Sequence, residues 1–215
     1  MAVECNIANM DTVLVVLLAL SAFILGGCPF SVWVGKWAMR TDIRKYGDGN
    51  PGSSNVFKAG SKKWGVVALI LDIMKGAPFV LIARMVFGLS QPLLYLIAFS
   101  AVLGHAYSPF LGFRGGKALA VFGGSLLGLA QWDIILSLIV FFILGFLFIG
   151  NDAWTVILGM VGSLIMLLLT RAELWECIFI ACITILFFIK QLHDLRTPNR
   201  PGRLIGWVRS RNKTA

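Results

Sequence analysis

The chain has 215 residues, 58% of them hydrophobic and 13% charged, with a formal net charge of +9 at pH 7. A soluble domain is ordinarily about half apolar and about a quarter charged, so the polar residues here are too few to coat a soluble globule, and lipid must cover the rest. The positive surplus does not mark a nucleic-acid binder, because it lies in short stretches between apolar runs, where it orients membrane helices and meets anionic ligands.

A membrane helix needs ~20 apolar residues. The first candidate covers residues 12–34. Within it, Leu25-Gly26-Gly27-Cys28 looks like a lipoprotein cleavage site, but Glu4 and Asp11 precede it with no Lys or Arg. A secretory signal has a basic leading region, so this segment is expected to stay as a helix. A polar, glycine-rich loop follows over 36–63. A second helix is expected over 64–87, interrupted by Asp72, Lys75 and Pro78, and a third over 92–111. A basic turn, 112–117, leads into a short fourth helix over 118–131, whose Gly123, Gly124 and Gly128 suit close packing on a neighbour. The fifth, sixth and seventh are expected over 133–149, 153–169 and 174–189, before a polar tail over 190–215. The four cysteines, Cys5, Cys28, Cys177 and Cys182, have no metal-ligand spacing and imply no disulfide framework. The expected fold is all-α, a polytopic membrane protein of about seven transmembrane helices forming one domain over 1–215.

The charges orient it. The first loop holds Lys36, Arg40, Arg44, Lys45, Lys58, Lys62 and Lys63, and the turn holds Arg114 and Lys117. The tail holds Lys190, Arg196, Arg200, Arg203, Arg209, Arg211 and Lys213, so 16 of the 19 basic residues fall in three segments. Seven spans place all three on one side, and positive loops stay in the cytoplasm. The N-terminus is then outside and the C-terminus cytoplasmic.

Four groups of residues carry candidate chemistry. The stretch 42–58 is dense in Gly, Asn, Ser and Pro, a composition that frees backbone N–H groups to form anion-binding concavities; Lys58 is expected in the first turn of the helix that follows. Gly115-Gly116-Lys117 before an apolar helix offers amides, a positive helix end and an ammonium together, which suits a phosphate. It lacks the spacing and the Ser/Thr of a Walker loop. His105 and Ser108 stand just before it. Asp72 and Lys75 share one helix face, and the plain reading is that they pair with each other. In the tail, Arg209, Arg211 and Lys213 suit anionic headgroups, while His193 and Arg196 begin at the bilayer edge and are expected to complete a pocket with the loop and the turn. Three basic segments over apolar helices point to an enzyme or binder of phosphorylated lipid precursors at the cytoplasmic interface.

At these residues the chain resembles the bacterial acyl-phosphate:glycerol-3-phosphate acyltransferases, the PlsY family, over essentially its whole length. The resemblance runs through Gly26, Pro29-Phe30, Asp42-Ile43-Arg44, Gly47, Gly49-Asn50, Gly52, Ser54-Asn55 and Asp72-x-x-Lys75-Gly76. It is most specific in Gly104-His105, Ser108-Pro109-Phe110 and Phe113-Arg114-Gly115-Gly116-Lys117. It implies seven helices in the inner (cytoplasmic) membrane with the active site facing the cytoplasm. It also implies transfer of a fatty acyl group from acyl phosphate to the sn-1 hydroxyl of glycerol 3-phosphate, without acyl-CoA, cofactor, metal or nucleic acid. By the same resemblance Asp48, Lys58, His105, Lys117 and His193 hold catalytic positions. Ser54, Asn55, Ser108, Arg114, Gly115, Gly116 and Arg196 hold substrate-binding ones.

Four positions depart from the family pattern. Asp48 replaces the Ser of Gly-Ser-Gly-Asn, removing a donor and adding repulsion near phosphates. Lys58 replaces an Arg and loses the bidentate fork. Ala118 replaces a Gly, and Arg196 stands where an Asn follows the family His. The expectation drawn from these changes is that Arg196 supplies the missing guanidinium and that Asp48 pairs with Lys58 or Arg196. Two other readings compete with the enzyme: a non-catalytic relative that binds acyl phosphate or anionic lipid, and a small anion transporter using Asp72, Lys75 and Arg84.

Overall fold

A computed structural model describes residues 2–170 and 173–197. The tail cations Arg200, Arg203, Arg209, Arg211 and Lys213, and the side chain of Cys5, lie outside the described residues. The described chain forms ten α-helices. Seven make up the first compact unit, Met1–Ala130: α1 (Ala2–Gly27), α2 (Phe30–Ala38), α3 (Ser53–Lys58), α4 (Lys62–Met74), α5 (Pro78–Met85), α6 (Gln91–Ala106) and α7 (Leu119–Leu129). The second unit, Gln131–Ala215, holds α8 (Trp132–Phe148), α9 (Asp152–Leu169) and α10 (Leu174–Leu195).

All seven expected apolar segments are helical. Five stretches, Thr12–Ala38, Lys62–Met85, Gln91–Leu111, Asp152–Leu169 and Leu174–Leu195, are long and apolar enough to cross a membrane, and α7 and α8 are shorter apolar helices. Three of the five are broken at a proline; the third, Gln91–Leu111, leaves α6 after Ala106 and resumes as a 3-10 turn at Pro109. Pro29 cannot donate to the preceding turn and disfavours helix at Cys28, so α1 stops and α2 restarts. Pro78 opens α5, a position where its missing N–H costs nothing.

Each break frees backbone polar groups at membrane depth, where water is not at hand to satisfy them. One residue answers this at the first break. Lys75, at the C-terminal end of α4, donates to the Cys28 carbonyl at 2.7 Å. Its ammonium also lies 2.8 Å from Asp72 Oδ1, and the Ser31 hydroxyl donates to Asp72 Oδ2 at 2.5 Å. The pairing expected as the plain reading therefore forms, with side-chain exposures of 1% and 2%. It ties α2 to α4.

The first loop is more ordered than its composition suggests. Asp42 caps a 3-10 turn over Ile43–Lys45 by accepting the Arg44 N–H at 3.0 Å. Ile43 and Val56 are fully buried with Ala68 of α4, and Val32, Val34 and Trp64 pack against them. Burying each such side chain is worth about 1.5–3 kcal/mol, enough to fasten the loop onto α4. Lys58 consequently ends the short helix α3 instead of opening the next one, as expected from the sequence; α4 begins separately at the Ser61 cap, whose hydroxyl accepts the Trp64 N–H at 3.2 Å.

Glycines set the helix spacing in this unit. Gly26 of α1 lies against the Ala101 carbonyl, and Gly104 of α6 against the Phe23 carbonyl, so a β-carbon at either would overlap backbone. Gly76 and Gly124 make the same reciprocal contact between the end of α4 and α7, confirming the close packing expected of the fourth segment. In the second unit Ser137 donates to Ser163 at 2.6 Å, joining α8 to α9. Asn151 caps α9 and donates to the Asp194 carbonyl at 3.1 Å, joining α9 to α10.

Candidate functional site

The α1–α6 glycine contact places the last turn of α6, with His105, beside the turn that leads into α7. That turn comes close for a steric reason. The Gly116 N–H donates to the His105 carbonyl at 3.0 Å. A β-carbon on Gly115 would overlap that carbonyl, and one on Gly116 would overlap His105 Nε2. Only glycines let the backbone approach this closely, and the approach delivers Lys117 to the loop between α2 and α3.

Between these elements lies a cavity of about 310 Å³. Asn50, Ser53 and Ser54 line it from the loop and the start of α3; His105 from α6; Lys117, Ala118, Leu119 and Ala120 from the start of α7; Leu69 and Asp72 from α4. Lys117 brings an ammonium, the first turn of α7 has unpaired amides, and Ser and Asn side chains supply neutral donors. Together these features suit an anion with oxygen atoms to spare, such as a phosphate.

Lys117 is not unaccompanied. Its Nζ lies 2.7 Å from Asp48 Oδ2. Asp48 Oδ1 accepts from Asn55 Nδ2 at 3.0 Å and from the Asn50 N–H at 3.2 Å, and Asn55 Nδ2 also donates to the Asn50 carbonyl at 2.8 Å. Burial pushes the Asp48 carboxyl up, but Lys117 and the two asparagine donors outweigh it and hold it at about 2. Asp48 is an anion throughout the physiological range. Within the first unit the ion pair Asp48 makes is with Lys117, where the sequence had offered Lys58. Lys58 ends α3 and does not line the cavity, and its side chain lies over Gly47, next to Asp48, while the glycine turn brings Lys117 within contact of the carboxylate.

The remaining expected residues divide. Ser54 faces the cavity. Asn55 is fully buried beneath it and shapes the loop through Asp48 and Asn50. Ser108 is 2% exposed and donates to the Gly27 carbonyl at 2.6 Å, so its proton is committed to tying the turn to the end of α1. Arg114 is exposed and does not line the cavity; its N–H closes the turn onto the Leu111 carbonyl. His193 and Arg196 belong to the second unit, at the end of α10, where the Arg196 N–H bonds the His193 carbonyl at 3.3 Å and His193 Nδ1 lies 3.5 Å from Asp194 Oδ1.

Of the residues lining the cavity only Ser54, His105 and Lys117 were expected as site residues; Asn50, Asp72 and Ala118 stand out among the others. Asn50 stood inside the quoted loop motif, but nothing in its spacing showed that its Oδ1 would be buried beside Gly116 without a hydrogen-bond partner among the described residues. Asp72 was singled out for its pairing with Lys75, in the family-like motif and in the transporter reading, but not as part of this cavity. Ala118 is 2% exposed and held at φ 62°, ψ 10°, a left-handed conformation that costs an L-residue about 1–2 kcal/mol. The departure from the family glycine had marked that position as one needing backbone freedom.

Comparison with known proteins gives the family. The family model for glycerol-3-phosphate acyltransferase matches residues 16–197. A glycerol-3-phosphate acyltransferase from an Anaeromyxobacter species is 40% identical over 125 residues, 57% of this chain and 62% of that protein. One from Enterococcus faecalis is 40% identical over 131 residues, 60% of this chain and 59% of that protein. The matched stretches thus span about three-fifths of those relatives. The crystal structure of PlsY (YgiH), an integral membrane glycerol 3-phosphate acyltransferase, in its glycerol 3-phosphate form superposes with a TM-score of 0.73 at 26% identity. That superposition covers 84% of this chain and 90% of that one. Its lysophosphatidic acid form gives the same score at 25% identity. With the family model matching most of its length, this chain belongs to the glycerol-3-phosphate acyltransferase family of integral membrane proteins.

Proposed function

We propose that the protein transfers a fatty acyl group from acyl phosphate to the sn-1 hydroxyl of glycerol 3-phosphate, releasing lysophosphatidic acid and phosphate for phospholipid synthesis. The observation that carries this reading is the meeting of the loop 47–58 with the Gly115-Gly116-Lys117 turn around one small cavity that Lys117, Asn50, Ser53 and Ser54 line beside apolar residues. Family membership supplies the reaction class, and PlsY itself is known in glycerol 3-phosphate and lysophosphatidic acid forms.

An acyl phosphate is a mixed anhydride, so no further activation is needed. The acceptor hydroxyl oxygen bonds to the acyl carbon, the carbon–oxygen bond to phosphate breaks, and the hydroxyl proton ends on the departing phosphate. The protein's task is to hold two anionic reactants in line and to offset charge developing on the phosphate and carbonyl oxygens. Lys117 and the first amides of α7 supply that positive potential, with Gly115 and Gly116 allowing their approach. His105 shapes the centre, and Ser54 with Asn50 faces the acceptor. A cavity of about 310 Å³ suits the phosphorylated ends and leaves the hydrocarbon tail to the apolar helices and lipid.

His193 and Arg196 are assigned to the glycerol 3-phosphate side of the same centre, with Lys58 as a further cation. Arg114 is assigned to attracting acyl phosphate to the turn, and Ser108 to fixing the wall. The charge distribution supports an inner-membrane orientation with this centre facing the cytoplasm and the N-terminus outside, both units working as one domain over 1–215. Neither metal nor cofactor enters the scheme.

The test is an assay of the detergent-purified protein with acyl phosphate and glycerol 3-phosphate, following phosphate release and lysophosphatidic acid. Both products should appear together. Saturable binding of acyl phosphate without either product would instead establish a non-catalytic relative.

A further inference from the structure

The reaction scheme just described assigns no step to the carboxylate at residue 48, which the sequence had placed among the catalytic positions. Yet Asp48 is not an idle surface group. Its side chain is three-quarters buried, with 24% exposed. One oxygen engages the Lys117 ammonium at 2.7 Å. The other collects the Asn55 amide at 3.0 Å and the Asn50 N–H at 3.2 Å. A cation on one oxygen and two neutral donors on the next is the arrangement in which two oxygens of a phosphate would be held. The carboxylate stands at the edge of the cavity that Lys117 and Asn50 line.

We infer that Asp48 is a specificity-determining residue that serves as an internal counter-anion, occupying Lys117 until a phosphoryl group displaces it and so keeping the pocket's affinity for phosphate low. This inference rests on the phosphate-binding reading proposed above. Its consequence follows from charge. Lys117 and Asp48 together are neutral, so an incoming phosphate gains little until the carboxylate moves aside, and it meets repulsion on the way. Every phosphorylated ligand is weakened, but ligands differ in what else they offer. An acyl phosphate also buries a tail in lipid and helix, whereas inorganic phosphate has only its charge. Free phosphate is therefore held too weakly to block the site after transfer.

The experiment measures inorganic phosphate binding by calorimetry to the full-length, detergent-purified protein. Asp48→Asn keeps an acceptor oxygen for Asn50 and Asn55 but removes the charge, and should bind phosphate about tenfold more tightly than the parent. Asp48→Glu keeps the charge and should stay as weak as the parent, a distinction that a merely structural role would not produce. Introducing Lys117→Ala into Asp48→Asn should abolish the gain. Should Asp48→Asn fail to fold, Asp48→Ser against Asp48→Glu makes the same comparison. Phosphate binding by the uncharged variant no tighter than by the parent overturns the inference. Acyl transfer by the parent alongside such a result leaves the proposed function standing, while tighter phosphate binding in a protein that transfers no acyl group supports the counter-anion and defeats the acyltransferase.

Discussion

Two lysine–aspartate pairs in the first unit make the same contact in different surroundings. Asp72 and Lys75 lie 2.8 Å apart with side chains 1–2% exposed, and Asp48 and Lys117 lie 2.7 Å apart with side chains about a quarter exposed. The buried pair is completed by the Ser31 hydroxyl and the Cys28 carbonyl, both parts of the helix break above it. The half-open pair is held by the Asn50 and Asn55 donors on one carboxylate oxygen and by Lys117 on the other, at the cavity that Lys117 and Asn50 line. Both pairs border the cavity, through Asp72 and through Lys117, so what separates them is burial: side chains 1–2% exposed make one pair a structural strut, while side chains about a quarter exposed leave the other exchangeable.

Removing one partner sharpens that contrast most. Asp72→Ala or Lys75→Ala leaves an uncompensated buried charge and should cost about 3–5 kcal/mol of stability. Thermal unfolding in detergent reads this directly, and replacing both residues together with apolar ones of similar size should recover much of the loss. Equal losses for the single and double changes would mean the strut works through something other than its charge.

Lys117→Ala tests the exchangeable pair. Phosphate release should fall by about 10²–10³ with little loss of thermal stability, since a preorganised cation at a developing anion is worth that much. A large stability loss with the remaining folded protein still active would make this pair structural as well.

Ala118 adjoins the same lysine and separates strain from charge. Ala118→Gly relieves the left-handed backbone at φ 62° and should raise stability by about 1 kcal/mol, read as a higher melting temperature. An unchanged or lower melting temperature would show that its buried methyl group outweighs the backbone cost.

The smallest effect concerns pH. Asp48 is held at about 2 in the folded protein against an ordinary 3.8, so its contribution is complete above the ordinary value and is lost as pH falls toward about 2. The parent and Asp48→Asn should differ in stability by less than about 1 kcal/mol, as expected for a partly exposed pair, and by the same amount from about pH 5 to about pH 9. Their unfolding curves should converge only in acid. A gap that changes near neutrality would place another titrating group at this pair.

Much of this was legible in the sequence because the signals were local. Hydropathy located all seven apolar segments, and Asp72 and Lys75 are one helical turn apart, so their pairing followed from spacing alone. The Gly115-Gly116-Lys117 turn likewise stood out in the sequence before the structure named its partner. The partners that spacing could not name were long-range. Asp48 meets a lysine 69 residues away and Ser108 a carbonyl 81 residues away, choices settled by where Gly104, Gly115 and Gly116 allow backbones to touch. Lys58 was misplaced because the buried side chains of Ile43 and Val56 fold the loop into a separate short helix that a glycine-rich composition conceals.

The account turns on Lys117 presenting positive charge to a phosphorylated reactant in this cavity. The most direct measurement compares initial rates of acyl phosphate consumption by the parent and Lys117→Ala, both shown by melting to be folded, at saturating glycerol 3-phosphate. The parent should consume acyl phosphate with lysophosphatidic acid formed one for one, and the variant should be nearly inert. A folded Lys117→Ala working at the parent's rate would contradict the account.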